Sequence, residues 1–416
     1  MYIAVFALSL LAQTNNYPTK FSPAIAQRPD VQKATAFVDA NFESQQVPEW
    51  IRLTEIPAPS GKEEKRGAYV KAELEKLGYQ TVTDSIGNLH ARRKGTGKGP
   101  TLVFASHLDT VFPENTNVKV TRKPDGTLHA PGVGDNTIAV AGLLQAIRAM
   151  DAAKMQTTGD IIFLFSVQEE VGLKGMYAWF ENNRKDTDLL VALDSNLGPV
   201  GYGALGIYWS RMKFTGPGAH TNRSKGAPNP VRAAAQCITD IYTVPIPDGD
   251  PMLGTVYNVG GMMSSGNIVN AVPQEVAFTV DLRTIDKSVM GQLDDAIVSK
   301  CDSAARAFGV TFQREWIQKS EPGGTPVQLE DRRKHPLVQT AIDVTKYVGV
   351  KLLPGKEAIA SGSTDANVGV VAGIPSITVG RGNGAGGHTL TEWANIESAR
   401  TGTKLILLLA ASLTEN

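Results

Sequence analysis

The amino-acid sequence predicts an α/β fold, in which helices cover both faces of a mostly parallel mixed sheet. Short apolar runs of strand length recur along the chain, and helical patterns separate them. No stretch approaches the roughly 18 apolar residues of a membrane span. The pattern of buried strands alternating with helices changes after residue 206 and resumes after residue 320. This predicts that a second module of different topology is inserted into the first.

The elements of the first module follow from periodicity and chain breakers. Apolar residues at helical spacing run up to Gly78, a residue type that suits the left-handed position after a helix. The predicted helices are 62–77 and 137–150, and the predicted buried strands are 101–106, 161–167, 189–193 and 374–379. Strands of this kind, alternating with helices, are typical of a parallel sheet.

The inserted module shows partial two-residue alternation in its strands. Its predicted strands are 208–214, 254–259, 275–283 and 310–318, and its predicted helices are 230–242 and 288–307. The order strand–helix–strand–strand–helix–strand is that of a ferredoxin-like α+β fold. The predicted domains are therefore 1–35 as an N-terminal extension or signal segment, 36–206 and 321–416 as the two parts of the principal domain, and 207–320 as the inserted module.

Composition argues against several classes of function. The chain has 416 residues with 41 Lys+Arg and 41 Asp+Glu, so its formal net charge is zero. A neutral balance supplies no general attraction to nucleic acid or to an anionic membrane, and neither is expected as a partner. Hydrophobic residues at 42% and charged residues at 20% suit a globular protein with a sizeable core.

The N-terminus and the two cysteines each allow two interpretations. Residues 3–12 form an apolar run, but the first charge is Lys20, so the positive segment that opens a secretory signal is missing. Residues 24–26 (AIA) resemble a cleavage site. A cleaved signal of a periplasmic or secreted protein and an irregular extension of a cytoplasmic one both stay open. For Cys237 and Cys301, which lack CxxC spacing, we expect two separate buried thiols in preference to one bridge.

Acidic and histidine side chains lie at the carboxyl ends of the predicted strands, where open α/β sheets place their ligands. His107 and Asp109 follow one strand as His-Leu-Asp, and alternate residues of an extended chain share a side, so the carboxylate can orient the imidazole. The other members are Asp135 before the apolar helix, Glu169 and Glu170 after the second strand, Asp194 after the third, and His388 after a Gly-rich loop. Each alone has an ordinary explanation, such as a helix N-cap or a solvated turn, but their coincidence at one edge indicates a site.

The types of side chain indicate the chemistry of this site. Imidazole and carboxylate ligands without cysteine suit zinc in a catalytic centre, and cobalt or manganese can occupy such a site. Two metal ions about 3.5–4 Å apart need one bridging carboxylate and further ligands at each end. Four carboxylates and two histidines meet that demand and leave one glutamate free as a general base.

The segments His107-Leu-Asp109-Thr, Gly132-Val-Gly-Asp135, Glu169-Glu170-Val-Gly-Leu, Asp194-Ser and His388 resemble the motifs of metallopeptidase family twenty over residues 45–415. That family includes peptidase T, glutamate carboxypeptidase, aminoacylase and the deacylases of arginine and lysine synthesis. The resemblance implies two zinc ions per subunit, one held by His107, Asp135 and Asp194 and the other by Asp135, Glu170 and His388. It also implies that Asp109 orients His107, that Glu169 deprotonates a metal-bridging water, and that the Asp135–Asn136 peptide bond is cis.

For the inserted module, the resemblance implies a lid and dimerisation domain, and hence a homodimer. The segment Gly216-Pro-Gly-Ala-His220 matches a motif whose histidine supports the oxyanion, often in the partner subunit. Asn270 and Arg283 match positions that recognise polar groups or a carboxylate of the substrate, whereas from residue type alone they are a turn residue and a solvated strand end. One departure is that residues 136–139 (NTIA) lack the Lys and Gly usual after the bridging aspartate.

The expected function is hydrolysis of short peptides, with a peptidase T-like tripeptide aminopeptidase favoured by Asp194 as a terminal ligand and by Glu-Glu-Val-Gly-Leu-x-Gly. A carboxypeptidase or an N-acyl-amino-acid deacylase of the same family is the alternative. An inactive binding or dimerisation scaffold is a further one. The G-x-G-x-x-G segments at 201–206 and 382–387 do not open a helix with an acid about 20 residues on, so no dinucleotide site is expected.

Overall fold

A computed structural model of the protein describes residues 17–247, 254–264 and 268–415, so the apolar run at 3–12 lies outside the described residues. Before residue 206 the helices are α1 (Pro23–Ala26), α2 (Pro29–Asn41), α3 (Val47–Thr54), α4 (Glu64–Lys76), α5 (Ile138–Ala152) and α6 (Lys174–Asn183). The strands of this part are β1 (Thr81–Thr83), β2 (Leu89–Arg93), β3 (Leu102–His107), β4 (Thr121–Arg122), β5 (Thr127–His129), β6 (Ile161–Ser166), β7 (Leu189–Leu193) and β8 (Val200–Gly201).

The rest of the chain first builds the inserted module and then returns to the principal domain. The module contains β9 (Gly206–Thr215), β10 (Ala219–His220), α7 (Pro230–Ile241), β11 (Val256–Ser264), β12 (Ala271–Val272), β13 (Glu275–Thr284), α8 (Lys287–Ala307) and β14 (Thr311–Ser320). The return contains α9 (Pro326–Lys334), α10 (Pro336–Tyr347), β15 (Ala358–Ile359), α11 (Ala366–Val371), β16 (Ser376–Val379), β17 (Gly384–Ala385), β18 (Trp393–Asn395) and α12 (Ile396–Leu413).

The large sheet of the principal domain has the strand order β1-β2-β6-β3-β7-β16-β8-β15 among the residues described. Its centre, formed by β6, β3, β7 and β16, is parallel, whereas β1, β2 and the β16–β8 pair are antiparallel. The central strands are almost entirely buried, as their continuous apolar sequences predict. The predicted mixed α/β fold is confirmed, and the carboxyl ends of the parallel strands share one edge of the sheet.

The helices α2, α5 and α12 pack against one another beside this sheet. Val31, Ala34 and Val38 of α2 are fully buried in the same core as most of α5. Residue 35, where the sequence placed the end of an extension, therefore falls inside a packed helix. In the part of the chain that the structure describes, no helix combines the length and apolar character of a bilayer crossing.

The inserted module is a four-stranded antiparallel sheet of order β11-β13-β9-β14 with α7 and α8 packed against it. Alternate residues of β9 and β13 are buried, and Phe214 and Phe278 stack between the sheet and the helices. The expectation of two separate thiols is wrong, because Cys237 of α7 and Cys301 of α8 form a disulfide. Helices that pack side by side bring cysteines 64 positions apart into contact, which spacing along the chain could not show.

Candidate metal centre at the edge of the sheet

The ends of the parallel strands position the candidate ligands. His107 is the last residue of β3, Asp194 directly follows β7, and Glu170 lies in the turn after β6. Asp135 lies in the segment Val133–Thr137 immediately before α5, and its backbone angles there are not helical. His388 follows the Gly-rich loop after β16. Four separate chain segments and this loop therefore bring their side chains to one edge of the sheet.

The first group of ligand atoms belongs to His107, Asp135 and Asp194. His107 Nε2 lies 3.2 Å from Asp135 Oδ1 and 3.9 Å from Asp194 Oδ2. One donor atom from each of the three side chains lies within 4.8 Å of the others. Such a spacing of one imidazole and two carboxylates is suitable for a divalent cation.

The second group shares Asp135 with the first. His388 Nε2 lies 3.3 Å from Asp135 Oδ2 and 3.1 Å from Glu170 Oε2. The two oxygens of Asp135 thus face the two histidines, one each. This is the arrangement in which a single carboxylate can bridge two cations.

The Asp109 carboxylate contacts a ligand of the first group and three other residues of the site. Its carboxylate lies 3.4 Å from Nδ1 of His107 and accepts hydrogen bonds from the backbone N–H of Glu169 at 3.0 Å and of Glu170 at 3.2 Å. It also accepts one from the Ser60 hydroxyl at 2.7 Å. A fully buried carboxylate therefore fixes an imidazole and the Glu169–Glu170 turn at the same time.

Glu169 is buried, and its carboxylate lies within 4.8 Å of donor atoms of His107 and Glu170. Burial raises the pKa of Glu169 well above its ordinary value, and the neighbouring carboxylates add to this effect. A carboxylate with a raised pKa accepts a proton more readily than an ordinary one, and beside a cluster of ligands it is suited to the role of a general base.

Charge crowding also shifts the pKa values of the candidate ligands. Burial raises the pKa of Asp194 to about 6, although the Arg381 guanidinium opposes the shift. Burial acts in the same direction on Asp135, but Arg381 and the two histidines outweigh it and hold its pKa well below the ordinary value. Hydrogen bonds to Asp135 and Glu170 raise the pKa of His388 to about 10. Shifts of this size are typical of functional sites.

The backbone is unusual next to the site. Gln168, Ser195 and His388 have left-handed φ values of +54°, +65° and +64°, although none is glycine. Gln168 precedes Glu169, and Ser195 follows Asp194, so these three left-handed residues lie at or beside candidate site residues. The predicted cis peptide bond at Asp135–Asn136 is confirmed.

Three further polar residues of the site were missed from sequence. Arg381 donates from Nη2 to Asp135 Oδ1 at 3.0 Å and from Nη1 to Asp194. Glu392 is buried and accepts backbone N–H groups of the loop that carries Asp135. Asp365 is buried, and burial raises its pKa to about 7. The one signal for Arg381 was its charge, because the other residues of this loop are small and mostly glycine.

The predicted substrate-binding residues lie in the inserted module. His220 Nε2 and Asn270 Nδ2 are 3.3 Å apart, so the structure brings these two together across the β10–β12 pair. Arg283 instead pairs with Asp281 at 2.9 Å and lies over the Trp209 ring. The polar contacts shown for all three stay within the module, and their roles stay predictions.

The residues of the site fit a metal centre by their chemistry. Imidazole nitrogen and carboxylate oxygen are ligands of zinc, manganese and cobalt. Glu170 Oε1 is buried and has no hydrogen-bond partner among the described residues, which is costly unless another group binds there. Asp135 lies close to Asp194 in one group and close to Glu170 in the other, and neighbouring carboxylates favour a cation between them.

Comparison with known proteins agrees with this geometry. The chain is 24% identical over 281 residues to the N-acetyl-L-cysteine deacetylase of Bacillus subtilis, an alignment that covers 65% of this chain and 66% of that enzyme. Among solved structures, a tripeptidase of Staphylococcus aureus superposes with a TM-score of 0.76 at 21% identity, over 90% of this chain and 99% of the other.

A dinuclear metal binding peptidase of Bacillus subtilis superposes with a TM-score of 0.66 at 16% identity, over 90% of this chain and 99% of that one. At these identities the structural matches show a shared fold. Residues 103–412 match the model of peptidase family M20/M25/M40. They include every candidate ligand and the inserted module. The chain is therefore a hydrolase of peptidase family M20/M25/M40.

Proposed function

We propose that the protein is a dinuclear zinc peptidase that removes N-terminal residues from short peptides, tripeptides above all. The observation that carries this proposal is the pair of ligand groups that share Asp135, with the Glu169 carboxylate beside both. A shared carboxylate and a separate buried base are what hydrolysis of an amide at two cations requires.

Each residue has a distinct task in this proposal. His107, Asp135 and Asp194 hold one zinc ion, and Asp135, Glu170 and His388 hold the other. When bound, the zinc pair acts as a Lewis acid on the scissile carbonyl and lowers the pKa of the attacking water. Glu169 accepts the proton of that water and returns it to the leaving amine nitrogen. Asp109 keeps the His107 ring oriented and holds the turn that carries Glu169.

The choice of a tripeptide aminopeptidase rests on residues of this chain. Asp194 occupies the terminal ligand position, and Glu169-Glu170-Val-Gly-Leu continues as in peptidase T-like sequences. The tripeptidase of Staphylococcus aureus shares the fold of this chain, which supports the choice of a tripeptide substrate. The alternative, hydrolysis of an N-acyl amino acid or removal of a C-terminal residue, is favoured by the alignment with the Bacillus subtilis deacetylase.

We further propose a homodimer formed through the inserted module, in which His220 supports the developing oxyanion. His220 is exposed at the end of β10, and Asn270 steadies its ring. Arg283 would bind a substrate carboxylate only after exchanging its present partner, Asp281. Sedimentation of the purified chain gives the oligomeric state, and a monomer that hydrolyses peptides at full rate would contradict this assignment.

A peptide panel tests the proposed function. Zinc-reconstituted protein is given tripeptides with free, N-acetylated or amidated termini, together with free N-acetyl amino acids. We expect cleavage that needs a free N-terminus. Cleavage of the acetylated substrates would favour the deacylase, and cleavage that needs a free C-terminus would favour the carboxypeptidase. A protein that purifies without metal and whose unfolding temperature is unchanged by a chelator would be the inactive scaffold.

A further inference from the structure

The loop that carries the shared ligand is held by a buried carboxylate. Glu392 Oε2 accepts the backbone N–H of Gly132, and Oε1 accepts those of Gly134 and Asp135, each at 2.7 Å. A Cβ atom added at Gly134 would lie 3.0 Å from Glu392 Oε1, so glycine permits this close approach. Three N–H groups directed at one carboxylate fix the loop from one side.

Arg381 holds the same loop through different atoms. Its Nε donates to the carbonyl oxygen of Gly134 at 2.7 Å, and its Nη2 donates to Asp135 Oδ1 at 3.0 Å. Its Nη1 donates to Asp194 Oδ1. The planar guanidinium therefore contacts the loop backbone and both carboxylates that accompany His107.

We propose that Arg381 and Glu392 are positioning residues for metal binding and act as a pair, the ligand clamp. This inference rests on the proposed function, because it concerns how the two zinc ions are held. The two members carry opposite charges, so the clamp fixes the geometry of the ligands without adding net charge to the cluster. Neither residue is placed among the groups that bind the metals or transfer protons.

The contacts predict different effects for the two members. Arg381 contacts both carboxylates of the His107 group but only one of the His388 group, so its loss weakens one zinc ion more than the other. Glu392 acts on the loop of Asp135, which both groups share, so its loss weakens both ions. A general loss of folding would not produce this difference.

Zinc affinity measured by competition with a chromophoric chelator tests the clamp in the full-length protein. For Arg381→Ala we expect the zinc ion of the His107 group to bind roughly 10- to 100-fold more weakly, and the other ion, which shares only Asp135 with this contact set, to weaken less. Arg381→Lys keeps the charge but reaches fewer acceptors, and it should fall between. Glu392→Gln keeps the shape but turns an amide N–H toward a backbone donor, and both ions should weaken.

The controls remove an ion pair elsewhere on the surface. Arg122 and Glu43 form an exposed two-pronged pair, so Arg122→Ala and Glu43→Gln should leave both zinc affinities unchanged. The d–d absorption spectrum of the cobalt-loaded protein gives a second readout, and we expect it to change in Arg381→Ala and not in the controls.

Chemical rescue separates a positioning role from a structural one. Arg381 lines a cavity of about 320 Å³, so added guanidinium ions can enter the space left in Arg381→Ala. We expect guanidinium to restore at least part of the lost zinc affinity. Zinc affinities of Arg381→Ala equal to those of wild type, or an equal loss for both ions without rescue, would overturn the clamp alone. A wild-type protein that binds no zinc would overturn the proposed function as well.

Discussion

The backbone N–H of Glu169 donates a hydrogen bond to the carboxylate of Asp109 at 3.0 Å. The same carboxylate lies beside the imidazole of His107. The proposed base and a proposed ligand are therefore positioned by one buried side chain, although they lie at the ends of different strands of the sheet.

Replacement of Asp109 by alanine should disturb both residues. We expect zinc to bind about 10- to 100-fold more weakly, because an imidazole without its orienting partner is a poorer ligand. Isothermal titration of the metal-free protein with zinc measures this change. Ser60→Ala is the matched control, because it removes only the hydroxyl that donates to Asp109. An unchanged affinity in Asp109→Ala would contradict the role.

Glu169→Ala should retain zinc and lose turnover. A missing general base lowers the rate by about 10²- to 10⁴-fold, while the ligand groups stay intact. Metal content by mass spectrometry and peptide hydrolysis, measured on the same sample, test both halves of this expectation. Glu43→Ala, a surface substitution, serves as the control. Near-normal turnover of the Glu169 variant would show that another group takes the proton.

His388→Ala should lower the zinc content from about two ions to about one per chain, since the His107 group keeps its three ligands. The measurement is metal content after dialysis against buffered zinc. Retention of both ions would mean that His388, which is half exposed, is not a ligand.

Removal of the disulfide should destabilise the inserted module. The loss of a native cross-link costs about 2–4 kcal/mol of unfolding free energy. Urea unfolding of the Cys237→Ala/Cys301→Ala variant is compared with that of wild type in the presence and absence of reductant. Titration of free thiols in the native protein, which should find none, is the direct check on the bond. Two reactive thiols would contradict it.

Acid should remove the contribution of Asp30 to the free energy of unfolding. Burial opposes ionisation of this residue, but hydrogen bonds from Arg28 and from the Gln156 backbone outweigh it and lower its pKa to about 2. The unfolded chain, with the ordinary value of 3.8, binds the proton more tightly, so the ionised pair stabilises the fold above about pH 4 and the effect fades as pH falls toward 2.

The test is the difference in urea stability between wild type and Asp30→Asn. We expect on the order of 1–2 kcal/mol at pH 6, shrinking steadily as pH falls from 5 to 3. Asp302→Asn, at an exposed position of α8, is the control and should show no such trend. A difference that grows on acidification would have the wrong sign.

The succession of strands and helices along the chain and the module insertion could be predicted because they depend on local patterns. The continuous apolar runs of β3, β6 and β7 and the two-residue alternation of β9 and β13 are visible in the sequence. The strand-end positions of His107 and Asp194 follow from the same patterns. The structure brings the proposed ligands together, and their roles stay predictions.

The features of the fold and the site that could not be predicted depend on contacts between segments far apart in the sequence. Arg381 and Asp194 meet across 187 positions, and Glu392 and Gly132 across 260, with no pattern in either segment that shows it. The Cys237–Cys301 disulfide likewise joins segments that are distant in the sequence. Residues 1–35 were expected to form an extension or a signal segment, yet Val31 and Ala34 pack in the same core as α5.

The insertion has a consequence for fragments of this chain. The polypeptide leaves the large sheet after β8, beyond Asp194, and rejoins it at β15, before His388, with Gly206–Ser320 between them. A product that stops anywhere inside β9 to β14 would carry His107, Asp135, Glu170 and Asp194 but neither His388 nor Arg381. Proteolytic nicking followed by loss of the C-terminal piece would thus remove His388 from the proposed second ligand group, together with β16 of the large sheet and α12 of the core.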